Sequence, residues 1–584
     1  MKYKLLFFTL FVCLNSLSLF AQRETDTIKT EKLIVIKQYS PTLNDAFKIK
    51  SKPSISDSIK KSQKTVDYSI FSVPVASTFT PVKGTASAIR PQSMPYNYRN
   101  YARLGFGNYT NILGQFFGSL DINRNQKLDI NFNHLSSAGG IDGVLLDDDF
   151  MDTDLDLNFK STERLFIWNA GINVDYKRYN WYGIDQQNIN NVNQIFGTEL
   201  SEIDPLQNYL GLSAFGGLEF SNSIVRNIDL KFQTFSDDYN SSENQINFGS
   251  DLKYNLREGS IDFNFNFNYL SGSFDQSFNQ PDIGIDYGFL TTSVQPSYQF
   301  ETGGLTLDIG LKASLLNNTE LSETDIFVYP KINASYKFSE EILFYAGLDG
   351  DLNQNSYQNI VEQNPFVSPT LFLQPTDNTL TGFAGLSGKQ NALSYNIKAF
   401  YKQENDYAFF VENSTAAGFA QFFAQDNFEY SNSFGLLYDD LSTIGLNLEA
   451  NYAAFDDFNI GLSAQYFNYS VDNLPEASYL PDFKVNLNAN YQIGEKWYLH
   501  STLFFVGERE SVNYISLPAD GIGLGSTTVD SFIDLNFGID YQLSERLGIF
   551  VSGKNLLGDN YEQWRNFNVQ GLQVMGGLSY QFDW

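Results

Sequence analysis

A chain of 584 residues carrying a formal charge of −29, with 16% aromatic residues and a mean hydropathy of −0.26, is acidic and polar on average yet rich in Phe and Tyr. The charge argues against nucleic acid as a partner, since a footprint on phosphates needs a basic patch. One cysteine, Cys13, and two histidines, His134 and His500, offer no ligand spacing or triad for metal or nucleophilic chemistry, so no catalytic, cofactor-binding or metal-ligating residues are assigned.

Residues 1–21 read as a secretory signal peptide: Lys2 and Lys4 precede an apolar stretch from Leu5 to Leu14, and cleavage is expected after Ala21. Cys13 follows Val12 instead of a small residue, which disfavours a lipoprotein anchor. Loss of the two lysines leaves 36 basic against 67 acidic residues, a charge of −31.

Residues 22–96 are rich in Ser, Thr, Lys and Pro, with Pro41, Pro53, Pro74, Pro81, Pro91 and Pro95 scattered through them, and only residues 33–36 read as a firm strand. Proline cannot donate to a ladder, so the expectation is an extended periplasmic arm or partial lumen plug, able to contact periplasmic or outer-membrane proteins.

Residues 97–584 carry a period-two pattern to the end. In Ile261-Asp-Phe-Asn-Phe-Asn-Phe-Asn-Tyr269 every odd position is apolar or aromatic and every even one is Asp or Asn. Successive side chains alternate faces along a strand, so one face is greasy and the other wet. The pattern recurs at Leu128–Asn133, Leu155–Phe159, Phe483–Tyr491 and Phe532–Tyr541. A soluble sandwich also alternates, but roughly two dozen such segments, many long enough for a tilted crossing of about 9–11 residues, fit a transmembrane barrel better. No apolar run of about 18 residues follows the leader, which excludes helical spans.

The connections alternate in length. Glu-containing turns at Glu163, Glu340-Glu341, Glu495 and Glu545 join an aromatic strand end to a new strand, with a looser copy at residues 298–305. Between them lie Asn-, Asp-, Gln-, Pro- and Gly-rich stretches at residues 185–205, 353–377, 413–427 and 509–526. Short turns are expected at the periplasmic rim and long loops outside. The acidic run Asp147-Asp148-Asp149, with Asp142, Asp152, Asp154 and Asp156, lacks EF-hand spacing and reads as a solvated loop, able to bridge through divalent ions to lipopolysaccharide. His134 is expected at a strand end near a rim, and His500 toward the lumen or an interface. The inward face, judged from Asp129, Asn131, Asp156, Asn158, Asp262, Asn264, Asn266, Asn486 and Asn488, is wet and mildly anionic. It favours neutral or cationic solutes, unless facing strands or an inserted arm satisfy these groups and close the pore.

The last strand places Leu572, Val574, Leu578, Tyr580, Phe582 and Trp584 on one face. An aromatic final residue on such a strand resembles the signal read by the outer-membrane barrel assembly machinery. Gly553-Lys-Asn-Leu-Leu-Gly-Asp-Asn-Tyr561, Gly571 and Gly577-Leu-Ser-Tyr-Gln-Phe582 together resemble the end of TonB-dependent receptor barrels. The motif covers about the last thirty residues; strand number and length extend it loosely over residues 99–584. The resemblance implies a 22-stranded barrel in a Gram-negative outer membrane, facing lipid and lipopolysaccharide. Residues 22–96 are shorter than that family's plug and lack its arginine-glycine and aspartate-glycine motifs, so an arm is expected in its place.

The fold class expected is therefore all-β: a large transmembrane antiparallel barrel of about 22 strands. The leading function is binding or passage of a solute of unknown identity, with loop aromatics such as Tyr357, Phe366 and Phe372 available for contact. The rival is a platform barrel in an envelope complex, without transport.

Overall fold

The computed structural model describes residues 99–184, 202–278, 280, 282–413, 426–517 and 521–584. The leader at 1–21, the arm at 22–96 and the strand expected at 33–36 lie outside the described residues. So do most of the loop at 185–205 and much of that at 413–427.

Twenty-two strands close into one antiparallel barrel. From Asn100–Gly107 through Trp497–Val506 nineteen consecutive strands each pair with the next, and the wall continues through Phe532–Gln542, Leu547–Lys554 and Gln573–Phe582. Gln573–Phe582 then pairs with Asn100–Gly107, in a register running from Asn100 opposite Phe582 to Gly107 opposite Met575. Two hairpins stand outside this circuit: Arg509–Leu517 with Gly521–Val529, and the small Glu562–Trp564 with Phe567–Asn568. Closure removes every lateral edge, which is what allows so many strands to form one sheet in lipid.

The alternation sets which face is which. Leu104, Ile172, Leu212, Ile309, Ile444 and Leu578 point outward and are strongly exposed, an arrangement that only a hydrocarbon surround makes favourable. Inward, Asn and Asp of neighbouring strands bond to one another. Asn131 donates to Asp156 (3.1 Å), Asn173 to Asp156 (2.7 Å) and Asp154 (2.8 Å), and Thr502 to Asn488 (3.0 Å). Inward lysines join the same wall: Lys253 lies 3.2 Å from Asp262 and Lys331 2.8 Å from Asp349. The wet face is thus knitted across the strands as well as hydrated.

The two rims differ as expected. At the rim shared by Arg99 and Trp584, strands join through turns of two to four residues, Glu163, Glu340, Glu495 and Glu545 among them. Tyr254, Tyr336, Tyr452, Tyr491 and Trp497 point outward beside these turns as an interfacial girdle. The long connections fall at the opposite rim, at residues 138–149, 181–205, 275–284, 354–375, 413–433, 472–482, 507–531 and 555–572. Three connections there are nonetheless tight, at 108–111, 238–241 and 319–322. Leu393–Glu412 and Phe434–Phe455 run for 20 and 22 residues. A tilted crossing uses about 9–11, so their outer halves form a wall above the membrane.

The closing seam rests on two missing side chains. Gly105 and Gly577 sit opposite each other in the first and last strands, and the Phe550 ring takes the space that a side chain on either would need. The Arg103 guanidinium covers that ring at 3.7 Å and pairs with Asp540 at 3.3 Å.

Candidate functional site

The largest apolar cluster among the described residues lies at the outer mouth of the barrel. Four of the long connections, with the loop at 472–482, turn inward and meet. Phe366 stacks on Phe567 with ring centres 4.0 Å apart, and Tyr182 packs on both, at 5.6 and 4.9 Å. Trp181 meets Phe428 at 5.4 Å, and Trp564 meets Tyr479 at 4.7 Å and Phe434 at 5.4 Å. All of these rings are buried in one apolar cluster. Aromatic pairs at such distances add to the ordinary gain from burial, so the loops hold one another in place.

Polar bonds fix the edges of this lid. Tyr182 donates to the Asn568 carbonyl (2.8 Å), Asn432 to the Trp181 carbonyl (2.7 Å) and Tyr209 to the Pro365 carbonyl (2.9 Å). Arg509 reaches from the outer hairpin to the Gln563 and Glu562 carbonyls at 2.6 and 2.9 Å. Burial lowers its guanidinium pKa to about 10, which leaves it charged at neutral pH. Burial pushes the Tyr182 hydroxyl far above its ordinary range, so it remains a neutral donor.

The lid is anchored to the barrel wall through one short helix, Tyr357–Gln363. Ser356 caps its first turn, accepting from Asn359 N at 3.2 Å. Glu243, at the outer end of its strand, accepts from Tyr357 N at 2.6 Å, Gln358 N at 3.2 Å and the Tyr287 hydroxyl at 2.9 Å. Asp237, on the adjacent strand, accepts from the Tyr357 hydroxyl at 2.7 Å. Tyr357 itself is fully buried among Tyr209, Phe235 and Phe274.

Several residues singled out in the sequence take other parts than expected. Tyr357 and Phe366 are lid core and cannot make first contact with a solute; of the three loop aromatics only Phe372 is exposed, at 63%. The acidic run is not simply solvated. Asp148 accepts from the Gly140 and Ile141 N–H groups at 2.8 and 2.6 Å, closing its own loop. Asp149 pairs with Arg178 at 3.0 Å. Among the described residues no three acidic or histidine side chains could hold a metal ion. His134 lies near the outer end of its strand, bonded to Thr153 (2.8 Å) and Ser136 (3.1 Å), and His500 faces Asp540 at 3.5 Å inside the barrel.

The C-terminal motif residues hold structure together. Asn555, in the left-handed region at φ 46°, donates to the Asp559 and Gln570 carbonyls at 2.7 and 3.0 Å and receives Asp559 N at 3.2 Å. Tyr561 stacks on Phe532 at 3.9 Å and donates to Asp534 at 2.9 Å. The anchors Glu243 and Asp237, by contrast, carry no sequence signal that sets them apart from other strand-end acids. Trp181 and Trp564 did carry one, since tryptophan in a loop is costly to leave exposed.

No protein-family model and no curated protein matches the chain in sequence. Solved structures match it in fold. The FrpB iron transporter from Neisseria meningitidis aligns at TM-score 0.61 and 10% identity, over 83% of this chain and 81% of that one. The siderophore receptor PirA from Acinetobacter baumannii gives 0.59 and 10%, over 84% and 81%. The ferripyoverdine receptor of Pseudomonas aeruginosa gives 0.58 and 12%, over 84% and 72%. At such identities the fold alone is shared, and the expected likeness to the barrel of TonB-dependent receptors holds at that level.

Proposed function

We propose, from a barrel of the TonB-dependent receptor type, that this protein passes a hydrophilic solute across the outer membrane through a lumen shut at its outer mouth by an aromatic lid. The observation that carries this reading is the contrast between the two regions. The lid is dry and ring-packed, whereas the wall beneath it is lined with Asn, Asp and paired lysines that can exchange bonds with a polar solute. A barrel serving only as a platform has no use for a hydrogen-bonding interior beneath a separable lid. The excess of inward carboxylates supports neutral or cationic solutes over anions.

Planar-bilayer recording of the full-length protein and of a Phe366→Ala/Phe567→Ala variant tests the reading. The expected result is little conductance in the parent and a steady, cation-preferring conductance in the variant. Silence in both forms overturns passage and leaves the platform reading in its place.

A further inference from the structure

Near the inner rim the polar carpet of the barrel wall is interrupted. One cross-strand row runs Lys160–Asn169–Gly217–Asp229–Gly249, each residue directly opposite the next. Gly217 and Gly249 supply no side chains, and a cavity of about 460 Å³ opens into the lumen there, within the range of small-ligand sites. Asn158, Lys160, Glu219, Arg226, Asp229 and Asp251 are among the residues that line it.

Several lysines of the lumen wall are held by carboxylates. Lys177, Lys253, Lys331 and Lys402 each lie within 3.2 Å of a carboxylate. Among the described residues Lys160, Glu219 and Asp229 enter no ion pair, although they share one cavity. Two polar atoms on its lining, Arg226 Nε and Asn158 Oδ1, are buried without a hydrogen-bond partner. Buried polar groups are ordinarily satisfied, so both atoms are available to a bound partner.

The geometry separates the two signs. A methyl group placed on Gly217 would lie 2.6 Å from Asn169 Oδ1 and 2.9 Å from Asp229 Oδ1, so both acceptors lean over the space the glycine leaves empty. A ligand ammonium seated above Gly217, on the lumen side, would have both acceptors beside it. Lys160 stands two strands from Gly217, about 10 Å at the usual strand spacing. An extended chain of three residues spans at most about 10 Å between its ends. A metal ion does not suit the site, because no three acids among the described residues are close enough to chelate one.

We propose that this cavity is a binding subsite for a short zwitterionic peptide, its ammonium over Gly217 against Asp229 and its carboxylate at Lys160. The assignment deepens the passage reading by naming a substrate class: a net-neutral solute of two opposite charges.

Calorimetric titration of the full-length protein in detergent, at low salt, with tri-L-alanine as the probe tests it. N-acetyl-trialanine amide, which carries neither charge, is the control. Saturable binding of trialanine is expected, weakened at least tenfold by blocking both ends, by Lys160→Met and by Asp229→Asn. All proteins should keep the same heat-modifiable barrel on gels. No binding at millimolar peptide, or equal binding of the blocked peptide, overturns the subsite. The two ideas fail separately. A conducting lid variant with no trialanine binding removes the subsite alone, whereas binding without conductance in any form retains the subsite and removes passage.

Discussion

Glu243, near the start of one wall strand, holds the backbone N–H of Tyr357, 114 residues later in the chain, at 2.6 Å. The bond joins the rigid barrel to the helix that hangs in its mouth, and it joins a carboxylate to the N-terminal turn of that helix, where negative charge is favoured.

Glu243→Gln keeps the shape and removes the charge. Hydrogen bonds to a charged group contribute about 1.5–3 kcal/mol, so helix Tyr357–Gln363 should loosen by about that much while the barrel stays intact. Hydrogen exchange of residues 357–363 should accelerate with no change in the temperature at which the barrel unfolds on gels. Unaltered exchange would show that the aromatic contacts hold the helix without Glu243.

Phe366 and Phe567 are each 2% exposed and stack at 4.0 Å. Truncating either to Ala should weaken the lid by about 3–5 kcal/mol. A double-mutant cycle should return a coupling of about 0.5–1.5 kcal/mol, read from exchange of loop 555–572. Full additivity would mean that the two rings belong to independently packed loops.

A side chain at Gly577 has nowhere to go. Its Cβ would press on the Leu104 carbonyl and lie 2.6 Å from the Phe550 ring, in the seam where the first and last strands meet. Gly577→Leu should block closure and leave no heat-modifiable species. Gly216→Ala is the matched control, because a Cβ there meets nothing nearer than the Asn169 carbonyl at 3.5 Å. Normal assembly of Gly577→Leu would mean that the seam adjusts around Phe550.

Burial raises the Glu562 carboxyl above its ordinary range, against the opposing pull of Arg565, the Asn566 N–H and Arg509. In a loosened loop the group titrates at its usual value, so between the two values the packed loop binds the proton more strongly. Glu562 therefore weakens the packed loop at neutral pH, and the weakening is relieved as pH falls through the raised value. Relative to Glu562→Gln, the parent loop at 555–572 should gain protection as pH falls from neutral toward the ordinary carboxylate range. Parallel profiles for the two proteins would remove Glu562 as the source.

The barrel was legible because its signal is local and repeated. Every strand states its own two faces, as Ile261 to Tyr269 does, and every short turn repeats a similar grammar. The inward carpet was legible for the same reason. The lid was only half visible: the long loops announced themselves by length and composition, but Tyr357 and Phe366 looked like free contact residues, and Asp148 looked like solvated charge. Their roles depend on partners far away in the chain, at Glu243, Phe567 and Gly140, which no periodicity connects.

Period-two chemistry and connection length thus determined that this chain makes an antiparallel outer-membrane type of barrel, which face meets lipid, and which rim bears the loops. The faces follow from side-chain alternation and the rims from the alternating lengths of the connections, and neither needs knowledge of what lies opposite. Only the tertiary structure decided that the outer loops pack into one apolar cluster, that Glu243 and Asp237 hold the helix Tyr357–Gln363, and that Lys160 and Asp229 face one cavity across Gly217. Each of these arises when barrel closure and cross-strand register bring together residues that alternation alone leaves unrelated.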